Sequence, residues 1–448
     1  MDFNTRYAKL NDNQRQAVDY IHGSLLVIAG PGTGKTELLS MRTAQILRQT
    51  DTLPNSILCL TFTESGATNM RQRLRQIIDE DAYKIAIHTF HSFGTEIINQ
   101  HREYFFRGAD AQPVDELTQY QIISGILEGL DWRNPLSAKN NGEFVYIKDL
   151  IRIISEFKQS GLTPSELRAI IDDNQSTIAE ITPDIQQVFS AKISKKTIEM
   201  FAPIAEKIAN LAAKNPDEKN SKLPVSITPY ANVLALSIVH AAQEAIDENS
   251  TKPLTAWKNK WCEKNANGEF VLKDFTAAEK LSAAIDVYEK YVNILSERSL
   301  FDYDDMILSV IQACESHPEL RANLQEQFQF IMVDEFQDTN LAQLRLLFNL
   351  TSENDDNPNI MAVGDDDQAI FSFQGADVGN IQRFRQHYHD PKIIVLTDNY
   401  RSAENILSSA RDVITQGADR LENTIDGLSK QLTAHANSEG SKVEIQEF

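Results

Sequence analysis

Cysteine is scarce in this sequence. The three present, Cys59, Cys262 and Cys314, are far apart and form no CxxC pair. That spacing suggests neither a disulfide framework nor a zinc site, and it fits a reducing, cytoplasmic setting. Long apolar runs are also missing: no stretch reaches the roughly 18 residues that a transmembrane helix needs. The N-terminus, Met1-Asp2-Phe3-Asn4-Thr5-Arg6, lacks the basic-then-apolar order of a secretory signal. Positive charge is in deficit, with 43 Lys and Arg against 64 Asp and Glu and a formal net charge of -21. This argues against a nonspecific duplex binder, which carries a basic footprint. It leaves open a single-strand binder with a local basic groove and stacking aromatics. Arg71, Arg73 and Arg75, with Lys84 after them, are the densest basic segment, and a solvated helix face is the favoured reading of it.

What is present is a chain of 448 residues, long enough for two or more packed units. Short runs that are apolar throughout predict buried parallel strands: Leu25 to Ile28, Ile57 to Leu60, Phe330 to Val333, Ile360 to Val363 and Ile393 to Leu396. Helical periodicity lies between several of them, as in Leu38, Met41, Ala44 and Leu47, or Leu341, Leu344, Leu347 and Phe348. Strand-helix alternation predicts a doubly wound α/β domain. From about Ala111 to Ala284 the pattern changes to mostly helical, as in Ile147 to Phe157, Pro203 to Ala213 and Val233 to Ile246. This region reads as a helical domain inserted into the α/β domain. Near the end, Val443 and Ile445 alternate with charged residues as a strand would. The chain therefore reads as a fragment that stops inside a structural element.

Four motifs carry chemistry. The first is Ala29-Gly30-Pro31-Gly32-Thr33-Gly34-Lys35-Thr36, after a predicted strand and opening a predicted helix, which is the context of a phosphate-binding P-loop. Its glycines let backbone N–H groups close around phosphate oxygens, and the helix N-terminus adds a favourable dipole. Lys35 can neutralise β/γ-phosphates and the Thr36 hydroxyl can ligate Mg2+. The second is Val333-Asp334-Glu335-Phe336-Gln337-Asp338, at the carboxyl end of another apolar run, where open α/β sheets bind ligands. Asp334 can hold Mg2+ through its water shell, and Glu335 can take a proton from attacking water.

The third runs from Val363 to Ala376. Asp365, Asp366 and Asp367 are consecutive acids that repel one another unless a cation or ordered donors are near. Gln368 can bond a γ-phosphate without adding charge. Phe371 and Phe373 alternate and could stack on bases, or simply pack in the core. The fourth is Asn399-Tyr400-Arg401-Ser402: Arg401 can stabilise phosphoryl charge, Tyr400 offers a ring for adenine, and Ser402 is a candidate helix N-cap.

In order, Lys35 and Thr36, Asp334 and Glu335, Gln368, then Tyr400 and Arg401 resemble the motifs of UvrD/Rep-type superfamily 1 DNA helicases. Asn11 to Val18 is similar to the family's adenine-reading Q motif, with Gln14 as reader. Thr61-Phe62-Thr63 and Thr89-Phe90-His91-Ser92 look like its two early DNA-contacting motifs, which makes Phe62, Thr63, Thr89, His91, Phe371 and Phe373 the expected DNA contacts. The resemblance is close over about residues 5–110 and 285–403 and loose over the helical insertion.

There are departures. Glu37 stands where many relatives carry an arginine beside the adenine, Phe373 for a usual Trp, Gln374 for a usual Arg, and Glu64-Ser65-Gly66 for a usual Asn-Lys-Ala. The family's later motifs are absent. The resemblance implies a RecA-like P-loop NTPase domain with a parallel sheet, in two parts at 1–110 and 285–400. An inserted helical domain at 111–284 would interrupt it, and 401–448 would begin a second RecA-like domain. It implies ATP and Mg2+ as cofactors, and single-stranded DNA and duplex junctions as partners, with 3′-5′ translocation in repair or recombination. Repair or nuclease proteins would be further partners, and no membrane would be involved. The rival expectations are a nucleotide-binding DNA-interaction module without unwinding activity and the motor part of a helicase-nuclease.

Overall fold

The computed structural model describes residues 2–105, 111–189, 193–194, 206–207, 210, 230–273, 278–351, 358–369, 379–389, 391–417, 420–425 and 427–436. Phe371, Phe373, Gln374, the Val443/Ile445 alternation and most of Pro203 to Ala213 lie outside the described residues. The chain forms two compact units. One comprises residues 1–113, 158–161 and 299–448; the other comprises 114–157 and 162–298.

The first unit is built on a six-stranded sheet. Its strands are β1 (Leu25–Ala29), β2 (Ile57–Thr61), β3 (Ala86–Thr89), β4 (Phe330–Val333), β5 (Ile360–Gly364) and β6 (Lys392–Leu396). The order across the sheet is β6-β1-β5-β4-β2-β3 and every pairing is parallel. All five apolar runs are strands. β3 went unforeseen because Ala86-Ile87-His88-Thr89 is no continuous apolar run; its Ala86 and His88 are only partly buried.

Both faces are covered. Leu26 and Ile28 pack with Phe93, Ile311 and Leu347 on one side. Leu25, Val27 and Ala29 pack with Val18, Leu38 and Met70 on the other. The period-2 alternation along β1 thus sends successive side chains to two separate cores. Helix Lys35–Gln49 buries Leu38, Leu39, Met41, Ala44 and Ile46. Arg42 on this helix is fully buried and donates to the carbonyls of Ala17, Tyr20 and Ile21, tying down the end of helix Asp12–Asp19.

The second unit is mainly helical, with helices Glu116–Glu128, Pro164–Phe189, Tyr230–Asp247, Lys252–Trp261 and Ala278–Glu297. The last of these runs across the 284/285 boundary expected from the sequence. Ile185, Phe189, Leu234, Ile238 and Trp257 form a core there, and Trp257 Nε1 donates to Ser237 Oγ at 3.0 Å. Two short antiparallel pairs, Lys139–Asn140 with Glu143–Phe144 and Cys262–Lys264 with Phe270–Leu272, interrupt the helices. Among the described residues, no helix is long and apolar enough to cross a membrane. All three cysteines are buried and unpaired, and burial pushes their thiols up to about 12.

Candidate nucleotide and nucleic-acid site

In a parallel sheet all strands deliver their chains to the same edge. The segments after β1, β2, β3, β4, β5 and β6 therefore converge, although up to 376 residues separate Leu25 from Arg401.

The loop after β1 is held from several sides. Gly32 and Gly34 have φ of 75° and 87°, left-handed values that glycine adopts without strain. A Cβ on Gly32 would lie 2.7 Å from Asn399 Nδ2 and 2.8 Å from Arg401 Cβ. Tyr400 N donates to the Gly32 carbonyl at 3.0 Å, and Asn399 Nδ2 donates to the Pro31 carbonyl. Thr33 Oγ1 bonds the Gly30 carbonyl at 2.8 Å, and Gln368 Nε2 reaches the Ala29 carbonyl at 3.5 Å. Gln14 is buried and bonded at both ends of its amide, with a second N–H left to offer. Its Nε2 donates to the Thr33 carbonyl at 2.9 Å, and its Oε1 accepts from Asn11 N at 3.1 Å in a capping box.

Lys35 and Thr36 open the helix that follows. Lys35 Nζ is 2.6 Å from Glu335 Oε2 and donates to Gln368 Oε1 at 3.3 Å. Three of the four sequence motifs thus meet at one ammonium group. Glu335 has φ 47° and ψ 47°, a left-handed conformation costly for a residue with a Cβ. Asp334 Oδ1 accepts from Glu335 N at 3.0 Å. Burial, then the Glu335 charge, pushes Asp334 up to about 6. Asp338 is raised to about 6 for the same reasons. This excess of carboxylate facing a cationic loop is the donor chemistry that a divalent ion relieves. Among the described residues no three His, Cys, Asp or Glu side chains form a closed metal cage. Mg2+ suits such an open set, because one or two carboxylates plus phosphate oxygens and waters suffice for it.

Several residues that shape the site had not been singled out. Gln337 is buried; its Nε2 donates to Glu335 Oε2 at 3.0 Å and its Oε1 accepts from Asp365 N at 3.0 Å. It fits because Gly364 has no side chain: a Cβ there would meet Gln337 Oε1 at 2.7 Å. The three acids Asp365 to Asp367 find their cations in Lys430 and Arg420, residues far downstream. Asn399 Oδ1 accepts from Arg401 N at 2.9 Å and Ser402 N at 2.7 Å. The expectation for Ser402 is corrected by this turn. The following helix is Glu404–Ile414, its N-cap is Ala403, and no side chain caps it. Ser402 N is taken into the turn from Asn399, and the helix begins two residues further on.

Tyr400 is 48% exposed, accepts from Asn11 Nδ2 at 3.1 Å, and stacks on His435 with ring centroids 5.4 Å apart. Arg401 is exposed. Glu37, one of the departures from the family pattern, is bracketed by Arg6 at 2.8 Å and Arg73 at 3.1 Å.

The early motifs cap helices at the same sheet edge. Thr63 is the N-cap of Glu64–Ile78, and Thr89 is the N-cap of Phe90–Gln100. Thr89 Oγ1 joins the two loops by donating to Glu64 Oε1 at 3.0 Å. Phe62 is partly buried, and burial holds His91 below the usual histidine value. Of the arginines nearby, Arg71 donates to the Ile87 carbonyl at 3.0 Å while Arg73 and Arg75 are exposed.

The UvrD/REP helicase N-terminal domain family model matches residues 10–217 and 179–389. The ATP-dependent DNA helicase PcrA of Staphylococcus epidermidis is 28% identical over 446 residues, 99% of this chain and 44% of that protein. DNA helicase II of Rickettsia typhi is 26% identical over 419 residues, 93% of this chain and 46% of that protein. PcrA of Staphylococcus aureus is 27% identical over 411 residues, 92% and 40% respectively. The chain thus spans less than half the length of these relatives. The family model covers well over half of the sequence, and the chain belongs to the UvrD/REP helicase N-terminal domain family.

Proposed function

We propose that this chain is the ATP-binding part of a cytoplasmic, ATP-dependent DNA helicase that moves 3′ to 5′ on single-stranded DNA in repair or recombination. The observation that carries the reading is the meeting of Lys35, Glu335 and Gln368, at 2.6 and 3.3 Å from the lysine ammonium, on the carboxyl edge of a parallel sheet. The names of the relatives, an ATP-dependent DNA helicase and a DNA helicase II, support it.

In this reading Gly30, Pro31, Gly32, Thr33, Gly34 and Lys35 cradle the phosphates, with Ala29 at the end of the strand that leads in. Lys35 exchanges its Glu335 partner for a phosphate oxygen. That exchange frees Glu335 to take the proton of a water attacking the γ-phosphorus, while the bond to the β–γ bridging oxygen breaks. Gln368 stays beside Lys35 and senses the terminal phosphate. Thr36 and Asp334 would hold Mg2+, which supplies neutralisation of phosphate charge when bound. Gln14 and Tyr400 flank the base, and Arg401 approaches the phosphates. Phe62, Thr63, Thr89 and His91 contact single-stranded DNA. Residues from 401 onward begin a second RecA-like domain.

The test is ATP hydrolysis by the chain with and without single-stranded DNA, together with strand separation on 3′-tailed and 5′-tailed duplexes. DNA-stimulated hydrolysis lost in Lys35→Ala supports the reading. No nucleotide binding, or binding unaffected by Lys35→Ala, would sink it.

A further inference from the structure

We infer that Lys430 is a positioning residue for the nucleotide site, acting on Gln368 through Asp365. The inference rests on the reading that Lys35 and Gln368 face the terminal phosphate.

Lys430 is 7% exposed, and its ammonium touches three carboxylates: Asp365 Oδ1 at 2.8 Å, Asp366 Oδ1 at 2.6 Å and Asp367 Oδ2 at 2.7 Å. Three adjacent acids would repel strongly without it. Arg420 takes part of the load with two bonds of 2.8 Å to Asp367, and Leu421 N donates to Asp366 Oδ2 at 2.8 Å. The decisive geometry lies at Asp365. One oxygen, Oδ1, is held by Lys430, while the other, Oδ2, accepts from Gln368 Nε2 at 2.7 Å.

An ionised carboxylate only accepts, so it fixes which end of the Gln368 amide faces it. The NH2 group turns toward Asp365 and the carbonyl oxygen toward Lys35, where it accepts at 3.3 Å. Lys430, Asp365, Gln368 and Lys35 therefore form an unbroken chain of contacts. Lys430 holds Asp365 Oδ1 in place, and Asp365 Oδ2 sets the rotamer and orientation of the Gln368 amide. Nothing in the spacing of the motifs points to Lys430. Only the need of three consecutive acids for a cation hinted that such a residue existed.

The test uses the full 448-residue chain. Affinities for Mg-ADP and for a non-hydrolysable Mg-ATP analogue are measured by titration for the unsubstituted chain and for Lys430→Met, Lys430→Arg, Asp365→Asn, Gln368→Ala and Gln368→Ala/Lys430→Met. The readout is the preference for the triphosphate. Lys430→Met is expected to narrow it by about three- to tenfold, the scale of coupling between residues in contact. Lys430→Arg restores it, and the double variant matches Gln368→Ala alone. Asp365→Asn removes a charge rather than exposing one. It is expected to narrow the preference too, and it keeps the test alive if Lys430→Met does not fold. Equal effects of Lys430→Met with and without Gln368, or an unchanged preference in folded Lys430→Met and Asp365→Asn, would overturn the inference. The reading of the site fails separately. It falls if the unsubstituted chain binds neither nucleotide or Lys35→Ala binds both normally, and the role of Lys430 falls with it.

Discussion

Lys35 Nζ and Glu335 Oε2 are 2.6 Å apart, so the cation expected to meet a phosphate is paired with the carboxylate expected to activate water. A nucleotide must compete with Glu335 for Lys35. Glu335→Gln keeps the shape and weakens this charge-assisted contact. It should therefore bind Mg-ATP several-fold more tightly while hydrolysing it far more slowly. Lys35→Ala should lose affinity markedly. Equilibrium titration and single-turnover hydrolysis separate the effects, and weaker binding by the Glu335 variant would contradict the competition.

Gly364 makes room for Gln337, which spans from Glu335 to the backbone of Asp365. In Gly364→Ala the new Cβ would sit 2.7 Å from Gln337 Oε1 and 3.1 Å from its backbone N. One of them must move. Overpacking of this kind costs about 1–3 kcal/mol. The expected outcome is a lowered melting temperature and slower hydrolysis, with nucleotide affinity less affected than rate. Wild-type stability and turnover in this variant would show that the loop yields freely.

The strand-helix frame was legible because buried parallel strands are apolar on both faces. β1, β2, β4 and β5 announce themselves this way; β6 is half-buried at one edge yet apolar from Ile393 to Leu396, whereas β3 at the other edge alternates and shows no such run. The loop from Gly30 to Lys35 and the Asp334-Glu335 pair could be singled out because the proposed chemistry needs fixed residue types at fixed local spacing, and the fold brings Lys35 and Glu335 together. Gln337, Asn399, Lys430 and Arg420 were not. Each makes a contact 28 to 368 residues distant. Gln337 and Asn399 lie inside quoted motifs without a role of their own, and the neighbours of Lys430 and Arg420 carry no sign of them. Ser402 misled because its residue type suits an N-cap, whereas the helix starts at Glu404 with Ala403 at that position.

Phe62 follows β2 at the sheet edge that carries the candidate site, next to the Thr63 cap. If it stacks on a base, Phe62→Ala should cost about 1–3 kcal/mol of single-strand affinity, with little dependence on base sequence. Its partial burial also allows a packing role. Fluorescence anisotropy with homopolymer oligonucleotides, read beside thermal melting, separates the two. A large fall in melting temperature with normal affinity of the folded fraction would mark Phe62 as a core residue.

Lys158 is fully buried and sits 2.6 Å from both Asp302 and Asp305. Burial pushes Asp305 up to about 6 even with the lysine beside it. The two acids raise Lys158 above its ordinary value against the opposing effect of burial. Removing one partner of such a site leaves uncompensated buried charge, which costs about 3–5 kcal/mol. Lys158→Met should be destabilised by that order at pH 8. The folded-state value of Asp305 lies above its unfolded value, so between about 4 and 6 the folded chain binds more protons there than the unfolded chain does. Its contribution to stability therefore rises as pH falls through that window. Without Lys158 the window moves upward, because the group that held Asp305 down is gone. The deficit of Lys158→Met relative to the unsubstituted chain should accordingly shrink between pH 8 and pH 6. Denaturant unfolding at a series of pH values measures it. A deficit that stays constant or grows on acidification would mean that the lysine acts there by packing rather than by charge.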